Sequence, residues 1–329
     1  MTKPPPDSRS SVLTRPIWLG LSYAFAALAW SLAAFAWSRG ERAIAASALA
    51  GGLSLGPCLA GYLSAPLRYK QLLRRIVLVT GGLSILAPLA GATSLELESC
   101  FALLFAGTMG AAIGHTLITV ILGPLAFGRL LCGWGCWRSM ILELLPIGRS
   151  PGRRRGAWRF LPFVGLALSV GSAAFLYFSL GHLPGGTAGM IHGTSLLPLA
   201  ALCGIYSVLS IGLAFLLRDS RAFCKYLCPS GAILSFTSRA ALAKMASRAG
   251  GCDGCGACSR ACPMDIAVAE YASAGRRVTS GECILCQRCA QACPRGTLRL
   301  TLGLDLARRT SFTEPRRRAA GSARALARI

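Results

Sequence analysis

Two copies of one cysteine run dominate the C-terminal part of the chain: Cys252-Asp-Gly-Cys255-Gly-Ala-Cys258-Ser-Arg-Ala-Cys262-Pro263 and Cys283-Ile-Leu-Cys286-Gln-Arg-Cys289-Ala-Gln-Ala-Cys293-Pro294. The spacing is that of the bacterial run that binds [4Fe-4S] clusters. Three closely spaced thiolates bind three irons of a cubane, and the fourth, followed by a proline, is held away from them. The sequence therefore predicts a domain that binds two clusters.

The cluster ligands are predicted by the rule for two-cluster domains, in which the fourth cysteine of each run binds the cluster of the other run. One cluster is then bound by Cys252, Cys255, Cys258 and Cys293, and the second by Cys262, Cys283, Cys286 and Cys289. Uncrossed ligation is the alternative. A zinc ribbon uses only two Cys-x2-Cys pairs, and disulfides are rare in the reducing cytoplasm that the topology below predicts.

The rest of the chain is more apolar than an ordinary water-soluble domain. Of its 329 residues, 53% are hydrophobic and 14% are charged, and the mean hydropathy is +0.55. A helix needs about 20 apolar residues to cross the hydrocarbon core of a membrane. Six runs contain no Asp, Glu, Lys or Arg: Ile17–Trp37, Ala43–Ala65, Ile76–Leu95, Ser99–Gly128, Phe160–Leu180 and Leu196–Leu217. We predict an all-α polytopic membrane bundle of about six transmembrane helices, followed by an α+β ferredoxin-like domain.

The distribution of the net charge of +23 predicts the topology. With both termini in the cytoplasm, basic residues collect in the inner segments, and only Arg39 and Arg42 lie in an outer loop. The other two outer loops, Thr93–Glu98 and Gly181–Ser195, contain no Lys or Arg. The positive-inside rule therefore predicts a multi-pass protein of the bacterial inner membrane, surrounded by lipid and with cytoplasmic clusters. The first run is interpreted as a retained anchor, with a cleaved signal peptide as the alternative. No nucleic-acid partner is expected, because topology already explains the charge.

The membrane part contains an internal repeat. Arg129-Leu-Leu-Cys132-Gly-Trp-Gly-Cys136 matches Arg221-Ala-Phe-Cys224-Lys-Tyr-Leu-Cys228. Each copy follows a span that reaches the cytoplasm, and a spacing of four on a helix places both thiols of a pair on one face. Four thiolates brought together by pseudo-symmetry suit one further cluster, a soft metal ion such as Cu(I), or redox-active dithiols. A packing role is the alternative.

These patterns divide the chain into six segments: 1–16, a cytoplasmic N-terminal segment; 17–65, an additional transmembrane hairpin; 66–217, a four-helix membrane core with the first motif at 132–136; 218–250, the second motif and an interfacial amphipathic helix; 251–302, the ferredoxin domain; and 303–329, a basic disordered tail. The amphipathic helix is predicted over 233–248, because apolar residues are interleaved there with Arg239, Lys244 and Arg248.

Three histidines are candidates for quinone or proton chemistry. His115 lies within the predicted fourth span, where a polar ring must face the protein interior and can hydrogen-bond a quinone carbonyl or ligate haem. His182 and His192 lie in an outer loop, and Glu96 and Glu98 lie in the neighbouring one, so these side chains are candidates for accepting protons from a quinol. Satisfied core or loop residues are the alternative in each case.

In its cysteine motifs the chain resembles the polytopic ferredoxin-type membrane proteins. This group includes NapH of periplasmic nitrate reductase systems, the methylamine utilization protein MauN, the C-terminal part of NosR and the copper-reducing assembly factor CcoG. The resemblance covers residues from about 70 to 302 and rests on Cys132-Gly-Trp-Gly-Cys136, Cys224-Lys-Tyr-Leu-Cys228-Pro229 and the two ferredoxin runs. It implies electron transfer, often from a quinol, with clusters on the cytoplasmic side.

Within this group, the Cys-Gly-Trp-Gly-Cys-Trp form of the first motif is most similar to MauN. That similarity implies a role in electron transfer or maturation for methylamine dehydrogenase. Two features depart from the NapH pattern: Trp137 stands where a proline is usual, and an additional N-terminal hairpin is present.

Three functions are therefore open at this point. The first is an electron carrier between two [4Fe-4S] clusters and the quinone pool or a ferredoxin-like or periplasmic redox partner. The second is an assembly factor that uses the four motif thiols for copper or thiol chemistry. The third is a NapH-like quinol dehydrogenase subunit. A docking platform without redox activity is a structural alternative.

Overall fold

The computed structural model describes residues 69–90, 97–105, 116–148, 150–154, 156–180, 196–248 and 251–303, together with residues 107 and 113 and scattered positions between 20 and 62. His115, His182 and His192 lie outside the described residues, as do most of the N-terminal hairpin and the basic tail. The quinone and proton roles of these histidines stay predictions.

From residue 69 to residue 240, the described part of the chain is helical apart from its turns and loops. Its helices are α1 (Lys70–Ala90), α2 (Leu97–Phe105), α3 (Gly123–Phe127), α4 (Leu130–Trp134), α5 (Trp137–Leu144), α6 (Leu161–Leu180), α7 (Leu196–Leu217), α8 (Ala222–Tyr226) and α9 (Pro229–Thr237). A π-helical turn, Leu117–Leu122, precedes α3, and 3₁₀ turns Gly156–Phe160 and Ser238–Ala240 precede α6 and follow α9.

Three of these helices coincide with predicted spans, since α1, α6 and α7 overlap the third, fifth and sixth apolar runs. Among the described residues, one helical segment is long and apolar enough to cross a membrane. It is Gly156–Ser179, which has 24 residues and a mean hydropathy of 1.8.

The predicted fourth span, Ser99–Gly128, is not a continuous helix in the described residues. Helix α2 ends at Phe105, and a turn follows in which Gly107 has φ +63° and donates its N–H to Leu104 O. The described residues 113 and 116 are helical, and the π-helical turn Leu117–Leu122 follows them. Pro124 has no N–H to continue an i→i−4 ladder, which explains the change of helical pitch just before it.

Helix α2 carries Glu98 into the interior rather than into an outer loop. Its carboxylate accepts hydrogen bonds from Ser169 Oγ at 2.8 Å and from the Tyr206 hydroxyl. Ser169 and Tyr206 lie midway along α6 and α7, so Glu98 is buried between those helices. The sequence placed Glu98 in an outer loop because the uncharged run begins only at Ser99. Helix α2 begins at Leu97, so Glu98 belongs to its first turn.

The ferredoxin module is a small α+β unit that follows the second motif. It contains β1 (Ala243–Ser247), α10 (Ala257–Arg260), α11 (Val268–Ser273), α12 (Arg288–Ala292) and β2 (Leu298–Leu302). The strands pair antiparallel, with Ala243 opposite Leu302 and Ser247 opposite Leu298. Its core is formed by cysteines and by buried apolar residues, which include Met245, Met264, Ile266, Val268, Tyr271 and Val278.

The predicted amphipathic helix over 233–248 is wrong in its second half, which is strand β1. Ala243 and Met245 are buried in the module core, and the β1 backbone pairs with β2. A short stretch of mixed apolar and basic residues fits a helix or a strand equally well until its pairing partner is known. That partner lies about 55 residues further along. The module therefore begins at Ala243 rather than at 251.

Candidate functional site

The two ferredoxin runs share one backbone conformation. In the first run Gly254 and Gly256 have φ +75° and +70°, and at the equivalent positions of the second run Leu285 and Gln287 have φ +51° and +58°. Residues in the left-handed conformation make each loop turn tightly. A tight turn is needed for three cysteine side chains to face one cluster. Because Leu285 and Gln287 adopt this conformation only at a cost, their surroundings must hold them in it.

The second run shares a cavity with the last cysteine of the first run. Cys262, Cys283, Cys286 and Cys289 line it, together with apolar side chains such as Val278. Burial, and then the thiolates of Cys286, Cys283 and Cys262, raise the pKa of Cys289. Four thiols that repel one another as thiolates need a cationic centre to be ionised together, and the irons of a cluster supply that charge.

The other four cysteines of the two runs form a second group, which is partly exposed to solvent. Burial, and also the thiolates of Cys252 and Cys293, raise the pKa of Cys258, so these three side chains lie near one another. Cys255 completes the run and is exposed to solvent. Cys293 thus lies with the first run and Cys262 with the second, as crossed ligation would require, and the ligand assignment itself stays a prediction.

Among the described residues, no three His, Cys, Asp or Glu side chains converge closely enough to share one metal ion. In a cubane each thiolate binds its own iron, so such convergence is not needed. The cysteine chemistry and the loop conformation both fit [4Fe-4S] clusters.

The two Cys-x3-Cys motifs adopt the same local structure. The first cysteine of each lies in a short helix, α4 or α8, and the second is the residue just before the next helix, α5 or α9. The second cysteine donates its N–H in the same way in each copy, from Cys136 to Leu131 O and from Cys228 to Phe223 O, both at 2.9 Å. The two cysteines of a pair therefore do not share one helix, because the backbone is extended at Cys136 and Cys228.

The repeat brings all four motif thiols to one internal cavity of about 120 Å³, as pseudo-symmetry predicts. Cys132, Cys136, Cys224 and Cys228 line it, and so do apolar residues that include Val120 and Phe223. Burial, and then the neighbouring thiolate of Cys224, raise the pKa of Cys228 to about 12. We call this space the four-thiol cavity.

Three buried arginines also line the four-thiol cavity: Arg129, Arg138 and Arg221. Arg129 and Arg221 occupy equivalent positions, three residues before the first cysteine of each motif. Arg129 Nη1 lies 2.5 Å from Glu282 Oε2, and Arg129 Nη2 donates to Gly231 O at 2.8 Å. Arg221 Nη1 donates to Ser139 Oγ at 2.5 Å. Burial alone would lower the pKa of Arg129, but Glu282 and the thiolates of the cavity raise it. Arg129 and Arg221 belong to the repeat in the sequence, but they were not predicted as site residues, although their identical offset in both copies was a signal.

Glu143 is the centre of a buried ion-pair network beside the cavity. Its carboxylate binds Arg74 Nη2 at 2.6 Å, Arg221 Nη2 at 2.5 Å and the guanidinium of Arg288, and its side chain is 4% exposed. Burial opposes ionisation, but Arg221, Arg74 and Arg288 outweigh it and lower the pKa of Glu143 to about 2. The network joins α1, α5 and the start of α8 to α12 of the ferredoxin module.

A second buried ion pair joins the same two parts of the molecule. Lys225 Nζ lies 2.6 Å from both Asp219 Oδ2 and Asp265 Oδ2, and it also donates to Ser150 Oγ at 3.1 Å. Lys225 belongs to the second motif, whereas Asp265 lies just after the first ferredoxin run. The module is thereby held against the helical part from two sides.

The second ferredoxin run makes direct backbone contact with the first motif. Trp134 Nε1 donates to Leu285 O at 3.1 Å, and Gln71 Nε2 donates to Cys286 O at 3.5 Å. A Cβ atom on Gly133 would lie 2.3 Å from Ile284 O, so only glycine allows this approach.

We expect Gly133→Ala to destabilise the docked module by about 1–3 kcal/mol, because the added methyl group displaces the loop that holds Cys283 and Cys286. Gly135→Ala is the matched control, since the nearest atom to its Cβ is 3.9 Å away. Thermal unfolding in detergent, followed by the cluster absorbance, measures the difference. Equal melting temperatures for the two variants would contradict the tight approach.

Comparison with known proteins assigns the cysteine motifs to two family models. Residues 244–294 match a 4Fe-4S dicluster domain, and residues 110–153 and 202–246 each match a 4Fe-4S binding domain. The dicluster match begins within β1, and the other two matches contain one copy each of the repeat. These matches support ferredoxin-type 4Fe-4S domains in this chain. Iron-sulfur clusters and electron transfer are thus supported for it.

Two relatives align with slightly more than half of this chain. An uncharacterized protein of Methanocaldococcus jannaschii is 29% identical over 187 residues, which cover 54% of this chain and 69% of the relative. The methylamine utilization ferredoxin-type protein MauN of Paracoccus denitrificans is 29% identical over 185 residues, which cover 53% of this chain and 62% of MauN. No solved structure matches the chain.

Proposed function

We propose that this protein is a membrane-embedded electron carrier that relays single electrons between a donor at the membrane, such as a quinol, and a redox partner protein. Two [4Fe-4S] clusters, bound in the crossed arrangement, supply one-electron redox chemistry. The observation that carries the proposal is the unequal placement of the two cysteine groups. One is packed against the helical part, and the other opens to solvent.

The outer surfaces of the long helices support membrane embedding. Phe163, Leu168 and Phe175 on α6 are between 56% and 68% exposed, and Val208 and Leu216 on α7 are 72% and 78% exposed. So many large apolar side chains on neighbouring faces would be a liability in water and are the normal surface of a helix in lipid. The multi-pass inner-membrane topology with cytoplasmic clusters is part of the proposal.

The inner end of the relay is the cysteine group of the second run. Its loop is held by Trp134 and Gln71, and Arg288 next to Cys289 is held by Glu143. Ile284 and Met264 line both its own cavity and the four-thiol cavity, so a single layer of side chains separates the two. Electron transfer slows steeply with distance, which favours this group as the first to exchange electrons with the membrane side.

The outer end of the relay is the cysteine group of the first run. Asp253, Gly254 and Cys255 are exposed, and so is the turn at Pro294–Gly296 after Cys293. A redox partner that docks here would approach the cluster through little protein. The residues of this edge therefore bind and orient the partner.

The order is tested by a pair of variants in anaerobically purified protein that is mixed with a reduced quinol. In Cys255→Ser, the cluster of the second run should still be reduced by the quinol. In Cys286→Ser, the cluster of the first run should keep its iron but no longer be reduced by the quinol, because its route to the membrane is broken. Electron paramagnetic resonance records each reduced cluster separately.

Wild-type protein whose intact clusters accept electrons from neither quinol nor a protein partner would contradict the relay. Equal loss of quinol reduction in both variants would contradict only the proposed order. Membrane embedding is checked by alkaline carbonate washing of membranes, which should leave the chain in the pellet.

A role as a maturation factor is the second candidate, and the buried four-thiol cavity is the observation that favours it. Replacing Cys132, Cys136, Cys224 and Cys228 by serine should abolish maturation of a target enzyme in that case. The relative MauN is a methylamine utilization protein. We propose methylamine dehydrogenase as the enzyme served, either as a target of maturation or as an electron-transfer partner. A strain that lacks this chain should then form no active methylamine dehydrogenase, whereas unchanged activity would exclude that branch.

A further inference from the structure

We propose that Glu98 accepts, through the hydroxyl of Tyr206, the protons that a quinol releases as its electrons enter the relay. This inference rests on the proposed quinol-driven relay and gives it a path for protons. A quinol loses two electrons and two protons when it becomes a quinone. The clusters take up the electrons one at a time but not the protons, so the donor site needs a proton acceptor.

Glu98 is a buried carboxylate that forms no ion pair with the described residues. It is 4% exposed, and its Oε1 accepts hydrogen bonds from Ser169 and Tyr206. Its Oε2 is also buried and accepts no hydrogen bond from the described part of the chain. Glu143, in contrast, is buried among arginines. An ionised carboxylate without such partners is costly to bury, and binding a proton removes that cost. Ionisable residues of this kind within membrane helices mark proton pathways.

Tyr206 connects Glu98 to the wall of the four-thiol cavity. The Arg138 Cζ lies 4.5 Å from the centroid of the Tyr206 ring, and the centroid of the Phe223 ring lies 6.1 Å from it. Arg138 and Phe223 line the cavity, and so does Leu97, the neighbour of Glu98 in α2. The carboxylate thus lies one layer of side chains behind the cavity, near the inner end of the relay, where the electrons enter.

The proton steps balance the electron steps. As one electron leaves the quinol for the clusters, a quinol hydroxyl gives its proton to Tyr206 Oη, and Tyr206 gives its own hydroxyl proton to the Glu98 carboxylate. Glu98 then releases this proton to water, and the second electron and proton follow in the same way. The quinol is oxidised to the quinone, and the clusters are reduced.

Few other ionisable groups surround this pair in the described part of the chain. Arg138 of α5 packs on the Tyr206 ring, and the buried Cys100 lies on α2 itself. Helix α6 supplies Ser169 and contains no charged residue. The ionisation of Glu98 is therefore set by its burial, by its hydrogen bonds and by the charge of Arg138.

The test compares two reductants of the clusters, a short-chain ubiquinol and dithionite, in anaerobically purified full-length protein. General acid–base groups contribute about 10²–10⁴ in rate, so Glu98→Gln should slow reduction by the quinol by about 100-fold or more, and Tyr206→Phe should slow it as well. Dithionite supplies electrons without a proton that must be removed, so it should reduce the clusters of both variants at the wild-type rate.

Ser210→Ala is the matched control for Tyr206→Phe, because it also removes a hydroxyl from α7. Ser210 Oγ donates to the Tyr206 backbone O at 2.6 Å and makes no contact with Glu98. This variant should keep the wild-type rate with both reductants.

The pH dependence distinguishes a proton acceptor from a structural residue. The wild-type rate with the quinol should rise as increasing pH ionises Glu98, and this rise should be absent in Glu98→Gln. A wild-type rate and pH profile in Glu98→Gln would overturn the inference and leave the relay standing. Equal slowing with quinol and dithionite would show a structural role for Glu98 and would also overturn it. Wild-type protein that is reduced by dithionite but not by the quinol would instead overturn the quinol-driven relay itself.

Discussion

Cys262→Ser should abolish the cluster of the second run and leave the cluster of the first run intact, although Cys262 belongs to the first run. The reason is that Cys262 shares a cavity with Cys283, Cys286 and Cys289. Its electron paramagnetic resonance spectrum should therefore match that of Cys286→Ser and differ from that of Cys255→Ser. Iron should fall by about four atoms per chain.

The reciprocal variant is the control for this result. Cys293→Ser should match Cys255→Ser, because Cys293 lies with Cys252 and Cys258. If Cys262→Ser instead resembled Cys255→Ser, each run would bind its own cluster and the crossed arrangement would be wrong. Crossed and uncrossed ligation predict the loss of different clusters from the spectrum of Cys262→Ser. The two can therefore be distinguished even when cluster occupancy is partial.

The largest effect on stability is expected from Glu143→Gln. The amide keeps most of the shape but removes the negative charge that Arg74 and Arg221 share, and both arginine side chains are at most 1% exposed. Removing one partner of a buried ion pair costs about 3–5 kcal/mol, because the other charge remains desolvated. Thermal unfolding in detergent should show this loss, together with earlier release of iron from the module.

One control variant separates this effect from the loss of an ordinary surface charge. Arg295→Gln removes the exposed pair with Asp253 at 3.8 Å and should change stability by about 0–1 kcal/mol. An equal loss in the two variants would contradict the buried network.

The pH dependence follows from the direction of the Glu143 shift. Its pKa falls from 4.5 to about 2 on folding, so the ionised carboxylate stabilises the native state at every pH above about 4.5. The difference in stability between wild type and Glu143→Gln should thus be constant from pH 8 to about 5 and shrink as the pH falls toward about 2. A difference that grows below pH 5 would have the wrong sign.

Local patterns predicted much of this molecule. The helices α6 and α7 coincide with uncharged runs, because a run of that length has few alternatives to a long helix. The cluster loops were predictable, because four cysteines at short spacing and a following proline restrict the backbone strongly. The repeat was also visible, since both copies preserve the arginine and both cysteines at the same offsets.

Other features depended on partners far away in the chain. The stretch Ala243–Ser247 fits a helix as well as a strand until Leu298–Leu302 is seen beside it. Glu98 is buried because Ser169 and Tyr206 meet it, and neither is near it in sequence.

The sequence by itself determined the type of cofactor, the repeat and the apolar character of the long helices, because each depends on residues that are close together in the chain. Only the tertiary structure decided that the second ferredoxin run is packed against the first motif, and that Arg129 and Arg221 share a cavity with four thiols. Those arrangements depend on contacts such as Arg129 with Glu282 and Trp134 with Leu285, which bridge more than 150 residues. No local sequence pattern predicts such contacts, because they depend on the complementary shape and charge of segments that are far apart in the chain.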